Sequence, residues 1–143
     1  MPYHWVPAHG GAIPDGAVAQ GHEADGESLW VCRANLAGGV HPGKVRGAFG
    51  AANIPYGGLE VKVFNYEVLM EAGEWVDAEG GSVPPGAAAW GHEANGEGLF
   101  VARAVVVGND LHPGKVRGEF GAANIPYGGN EVKVQFYQVL VGT

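Results

Sequence analysis

The chain is close to one sequence written twice. Gly21-His22-Glu23-Ala24-Asp25-Gly26-Glu27 returns as Gly91-His92-Glu93-Ala94-Asn95-Gly96-Glu97. His41-Pro42-Gly43-Lys44-Val45-Arg46-Gly47 returns as His112-Pro113-Gly114-Lys115-Val116-Arg117-Gly118. Trp5 answers Trp75, Gly11 through Ala34 answer Gly81 through Ala104, and Asn53-Ile54-Pro55-Tyr56-Gly57-Gly58 answers Asn124-Ile125-Pro126-Tyr127-Gly128-Gly129. A single inserted residue near Gly108-Asn109-Asp110 shifts the register between the copies, at a place where a loop should absorb it. This limits the chain to two similar units, residues 1–70 and 71–143, forming one compact body. A repeat of this kind often cannot bury its apolar face alone, so the halves are expected to exchange strands or complete each other's sheets.

Helical periodicity is nearly absent, because Gly or Pro interrupts most windows. Strand signals are good. Ser28 to Ala34 and Gly98 to Val107 are apolar runs ending in turn residues, the second, from Leu99 to Val107, apolar on both faces as a central strand would be. Glu60 to Met70 and Glu131 to Val141 read as long strands whose alternation changes face. The switch suggests a bulge near Val63-Phe64, and in the second copy a switch beyond Phe136. Ala-Asn-Ile-Pro-Tyr-Gly-Gly reads as a turn in both halves. The expected fold is all-β: two tandem repeats in a pseudo-two-fold antiparallel β-sandwich.

The bulk numbers exclude several classes. A formal net charge of -7 makes nucleic acid and anionic membranes poor partners. No apolar run approaches the roughly 20 residues of a membrane helix, so membrane insertion is not expected. Met1-Pro2-Tyr3-His4-Trp5 has neither the basic nor the apolar region of a leader, so the expected compartment is cytoplasmic, with any release by a non-classical route. Cys32 is the single cysteine, its counterpart is Ala102, and it reads as a small core residue.

Between drifting positions, a polar set persists: His22, Glu23, Glu27, Arg33, His41, Lys44, Arg46, Glu60 and Lys62 recur in the second half. Each pair of motifs is expected to meet in space as one ligand site. Glu23 and Lys44, and Glu93 and Lys115, read as side chains on Gly-rich turns. A carboxylate accepts from adjacent hydroxyls and an ammonium donates to them, the mixture a sugar presents. The alternative is a surface salt bridge worth roughly 0–1 kcal/mol. His22, His92, His41 and His112 are candidate secondary contacts. Trp90 joins them because it replaces Gln20 beside the second site. A metal-dependent binder or hydrolase using His22, Glu23 and His41 is another alternative, but adjacent strand residues point to opposite faces. An interaction module with repeated surface charges is a third. There is no G-x-S-x-G elbow and no HExxH, and neither serine recurs, so no enzyme, metal or cofactor is expected. Arg33, Arg103, Glu60 and Glu131 are expected to form ion pairs between the halves.

The motifs Gly26-Glu27-Ser28-Leu29-Trp30-Val31-Cys32-Arg33-Ala34, Pro42-Gly43-Lys44-Val45 and Ile54-Pro55-Tyr56-Gly57-Gly58-x-Glu60, each seen twice, resemble the DM-nine repeat family. Within it, the chain is similar to the two-repeat mannose-binding lectins of bivalve, oyster-type molluscs. The resemblance implies an all-β protein that recognises mannose and mannose-rich glycans without a metal. It further implies innate immune recognition of microbial surface polysaccharides, and a homodimer. It places an acidic residue of the first motif and the lysine of Pro-Gly-Lys on the sugar, which here are Glu23 with Lys44 and Glu93 with Lys115. The family position often carries aspartate. Glutamate moves the carboxylate by about one carbon–carbon bond and changes which hydroxyls it reaches.

Overall fold

The computed structural model describes residues 2–143. Met1, the first residue of the segment read for a leader, lies outside them. The first half forms β1 (Trp5–His9), β2 (Gly21–His22), β3 (Ser28–Leu36), β4 (Gly39–Val45), β5 (Ala52–Tyr56), β6 (Leu59–Val63) and β7 (Asn65–Leu69). The second half repeats them as β8 (Glu74–Glu79), β9 (Gly91–His92), β10 (Gly98–Ala104), β11 (His112–Val116), β12 (Ala123–Tyr127), β13 (Asn130–Val134) and β14 (Phe136–Val141). No helix among the described residues is long and apolar enough to cross a membrane.

Strand order is β1-β7-β3-β4-β5-β6-β13-β12-β11-β10-β14-β8, which reads the same from either end once the halves are exchanged. Leu59 and Asn130 meet at its centre, flanked by reciprocal 2.9 Å bonds from Glu60 N–H to the Gly129 carbonyl and from Glu131 N–H to the Gly58 carbonyl. The fold is all-β with pseudo-two-fold halves, as expected. The sheets of a sandwich are, however, joined into one closed barrel with extra strands. Closure comes from the two shortest strands. β9 pairs with β10 of its own half and with Val40 on β4 of the other. His22 on β2 pairs with Leu111 just ahead of β11. The halves therefore do exchange strands.

Alternation on β3 explains the core. Cys32 and Ala34 pack with Val45, Ala52, Ile54, Tyr66 and Val68 into the first-half cluster, and the second half repeats it around Ala102, Val116 and Ile125. Val31 faces the other way and meets Leu69, Val101 and Leu140 in a third cluster, with Tyr3, Trp5, Trp75 and Trp90 packed on it. Each fully buried Val or Leu contributes about 1.5–3 kcal/mol. Cys32 is fully buried, and burial pushes its thiol well above the usual range, so it is the unreactive core residue the sequence suggested.

Four local expectations are corrected. His41-Pro42-Gly43-Lys44 is not a turn but the body of β4, and Ala-Asn-Ile-Pro-Tyr is β5, leaving only Gly57-Gly58 as the turn. The long strands break at Phe64 and, in the same place, at Gln135. The later switch in the second half does not occur: Phe136 is 71% exposed, and Tyr137, Val139 and Val141 take the buried parity. An aromatic on the outer face had mimicked core periodicity. Finally, β10 stops at Ala104, short of Val107. The Asp110 carboxylate accepts from the N–H groups of Val106, Val107 and Gly108 and draws that segment off the ladder, leaving Val105 and Val107 exposed.

Candidate functional site

Strand pairing decides where the lysines go. Lys44 is the cross-strand partner of Val31, and Lys115 of Val101, so both stems lie on the face of the third cluster. Each lysine is 2% exposed, so neither stands on a solvent-exposed turn as read from the sequence. Lys44 Nζ donates to His112 Nδ1 at 2.8 Å and lies 3.7 Å from Glu60. The rings of Tyr127 and Phe49 sit 5.4 and 5.8 Å away. Lys115 Nζ donates to His41 Nδ1 at 2.9 Å, with Tyr56 and Phe120 at 5.3 and 5.8 Å.

Burial sets the electrostatics. It pulls Lys44 below the usual ammonium range, against the nearby Glu60 and Glu23. It pulls Lys115 down to about 8. Burial, reinforced by the neighbouring lysine, also lowers both histidines, His41 to about 4. Both rings are therefore neutral at pH 7. Since Nδ1 accepts from a lysine, the ring proton resides on Nε2. An ammonium has three donors, and here one is given to an imidazole.

Glu23 stands at the rim. Its turn is closed by Glu23 N–H donating to the Glu27 carbonyl at 2.8 Å, and its side chain remains 21% exposed. Its carboxylate accepts from Arg46 Nε at 3.1 Å and approaches His112 Nε2 at 3.9 Å. Glu93 repeats this with Arg117 at 3.0 Å and His41 Nε2 at 4.0 Å. The salt-bridge partner of each glutamate is thus the arginine two residues beyond the lysine. Glutamate and lysine of one repeat are gathered around the histidine of the other.

This exchange was not anticipated. Glu23, Lys44, Arg46 and Glu60 come from the first half, while His112 and Tyr127 come from the second, and the mirror arrangement builds the other cluster. Glu60 Oε1 also accepts from Gly129 N–H at 2.9 Å, and Glu131 Oε1 from Gly58 N–H at 3.0 Å. Tyr56 and Tyr127 pack edge-on against His41 and His112 at 5.0 and 4.9 Å. Recurrence in both halves was the available signal for Tyr56, Tyr127, Glu60 and Glu131. Asp110 has no acidic counterpart, so a search for repeated residues passes over it.

Other candidates lie elsewhere. His22 and His92 are exposed, their Nδ1 atoms 3.1 and 2.9 Å from the carbonyls of Glu23 and Glu93. Trp90 is half-buried against Tyr3 and Trp5, on the third cluster. Arg33 and Arg103 do not form ion pairs between the halves. Arg33 pairs with Glu67 of its own half, and each arginine reaches across only to a backbone carbonyl, of Trp90 and Gln20 respectively. Glu60 and Glu131 cross between halves to amides, not to cations. His22, Glu23 and His41 do not converge, since Glu23 lies against His112. Among the described residues no three His, Cys, Asp or Glu side chains group as a metal site.

No curated protein matches the chain. A family profile does, in three overlapping segments spanning the whole sequence, residues 1–63, 50–134 and 100–143. The chain therefore belongs to the DM9 repeat family, a family of carbohydrate-binding, lectin-like modules and not of enzymes.

Proposed function

We propose that the chain is a lectin that binds mannose and mannose-rich glycans without a metal, at two sites, one at Glu23 and Lys44 and the other at Glu93 and Lys115. The observation that carries this reading is the buried ammonium, built twice, whose hydrogen bond goes to a neutral imidazole beside a rim carboxylate. Burying a charge is costly unless its donors are used. An ammonium with donors to spare, next to a carboxylate, is matched by vicinal hydroxyls, one accepting and one donating. The arginine paired with each glutamate orients that carboxylate as such an acceptor. Two sites on one chain, multiplied by pairing with a second copy, give avidity toward microbial surface polysaccharides even where each site is weak.

A glycan array run with and without EDTA tests the reading. Mannose-terminated glycans should bind, equally in both conditions. The double variant Lys44→Met, Lys115→Met should lose that binding while its circular dichroism spectrum and unfolding remain cooperative. Binding that survives in the folded double variant rejects the site. Binding that disappears with EDTA rejects the metal-free mechanism.

A further inference from the structure

The two clusters differ at one buried position. On the second-half loop, Asp110 is 2% exposed, and its Oδ2 accepts from His112 Nε2 at 3.0 Å. Its Oδ1 meanwhile caps the N–H groups of Val106 and Val107 at 2.9 and 3.1 Å. In the first half the corresponding residue is Gly39, in a tight hairpin, where an added Cβ would collide with the His92 carbonyl oxygen. No carboxylate can stand there. Among the described residues His41 Nε2 is accordingly buried without a hydrogen-bond partner, and the carboxylate near it is that of Glu93, at 4.0 Å.

We propose that Asp110 makes the two glycan sites unequal: the Lys44 site is the tighter, and the Lys115 site is weaker and empties as the medium becomes mildly alkaline. The inference rests on the lectin reading above. At the first site His112 Nε2–H is already satisfied by Asp110, so Glu23 can give its lone pairs to a sugar at no cost to the ring. At the second site Glu93 is the one carboxylate near the buried His41 N–H. A hydroxyl that engages Glu93 leaves that donor stranded, an expensive outcome in a buried setting. The fields differ in the same sense. Lys44 has Glu60 within 3.7 Å, and Glu23 and Asp110 also hold its proton, against Arg46 and Lys62 gathered on the Phe49 ring. Lys115 has Glu131 and Glu93 at longer range, opposed by Arg117 and by Lys133 on the Phe120 ring, and its ammonium is held down to about 8.

Two measurements on the full chain test this. In a ¹⁵N NMR titration of the lysine ammonium groups, Lys115 should lose its proton well before Lys44, and Asp110→Asn should move Lys44 toward Lys115. Calorimetry with methyl mannoside on single-site variants gives the binding counterpart. Lys115→Met, which keeps only the Lys44 site, should lose less affinity between pH 7 and pH 9 than Lys44→Met does. Lys44→Met, which keeps only the Lys115 site, should bind more weakly at pH 7 and lose about tenfold more by pH 9. Equal affinities and equal pH profiles overturn the inequality and leave the lectin reading standing, as does an Asp110→Asn variant that folds without moving Lys44. If the unmodified chain binds no glycan while the ammoniums still titrate apart, the lectin reading is what falls.

Discussion

Lys115 carries a cost that the fold tolerates. Its ammonium releases its proton near 8 in the folded chain, against 10.5 for an exposed lysine. The folded state therefore holds this proton more weakly than the unfolded state does. Stability is reduced at every pH below 8 and recovers as pH rises from 8 toward 10.5. The corresponding penalty is about 3 kcal/mol. Lys115→Met should raise the unfolding free energy from urea denaturation at pH 7, and with it the midpoint, by an energy of that order and flatten the recovery between pH 8 and 10.5. A methionine that leaves the midpoint unchanged would show that this burial is not a strain on the fold. The histidines act at the other end of the scale. His41, lowered to about 4, resists the proton that the unfolded chain accepts near 6.5. Stability should fall as pH drops from 6.5 to 4, at up to about 1.4 kcal/mol per unit for this one group, with His112 adding in the same direction. Urea denaturation across that window, with His41→Gln flattening the slope, checks it. Repetition picked out these lysines, glutamates and histidines before any geometry. It could not show that the histidines serve the opposite repeat, since a linear motif contains no information about which copy it faces. Asp110 was invisible because it is the point where the copies differ.

Among the elements, the shortest strands do the closing. β2 and β9 have two residues each, too few to show any periodicity, so the barrel could not be read from the sequence while the longer β3, β7, β10 and β14 could. What those two strands require is legible in retrospect as glycine. A Cβ at Gly21 would strike the Leu111 carbonyl oxygen, and one at Gly91 the Val40 carbonyl oxygen, because both seams bring backbone against backbone. Gly91→Ala should therefore part β9 from β4. The expected result is a loss of more than about 2 kcal/mol in stability, with hydrogen-exchange protection falling first at the amide of His92. Gly96→Ala, on the adjoining turn with open space around it but a φ of +91°, is the comparison. It should cost only about 1 kcal/mol and leave the seam protected. Equal effects from the two substitutions would remove the steric account of the seam. Turn chemistry had the opposite failing. The Gly- and Pro-rich letters of β4 and β5 suggested loops, but Pro42 and Pro55 sit in strands where pairing to the neighbour is set by the residues around them.

At the scale of the molecule, the two repeats share contacts that neither can make alone. The third hydrophobic cluster takes Val31 and Leu69 from one half and Val101 and Leu140 from the other. Each half supplies a strand that the other half's barrel wall needs, and each lysine finds its imidazole across the boundary. A single repeat would expose half of that cluster, two open strand edges and a lysine without its imidazole acceptor. Residues 1–70 and 71–143 expressed separately should therefore give broad, uncooperative unfolding and no glycan binding. Mixed in equal amounts, they should regain both a cooperative transition and binding, since every missing contact lies on the partner fragment. The sharper form of the experiment pairs a first-half fragment carrying Lys44→Met with an intact second half. That complex should fold and keep only the site of Lys115, whose histidine, His41, is supplied by the mutated fragment. If instead the fragment pair loses both sites, or if residues 71–143 bind glycan alone, the sites do not span the two repeats in the way the lysine–histidine exchange requires.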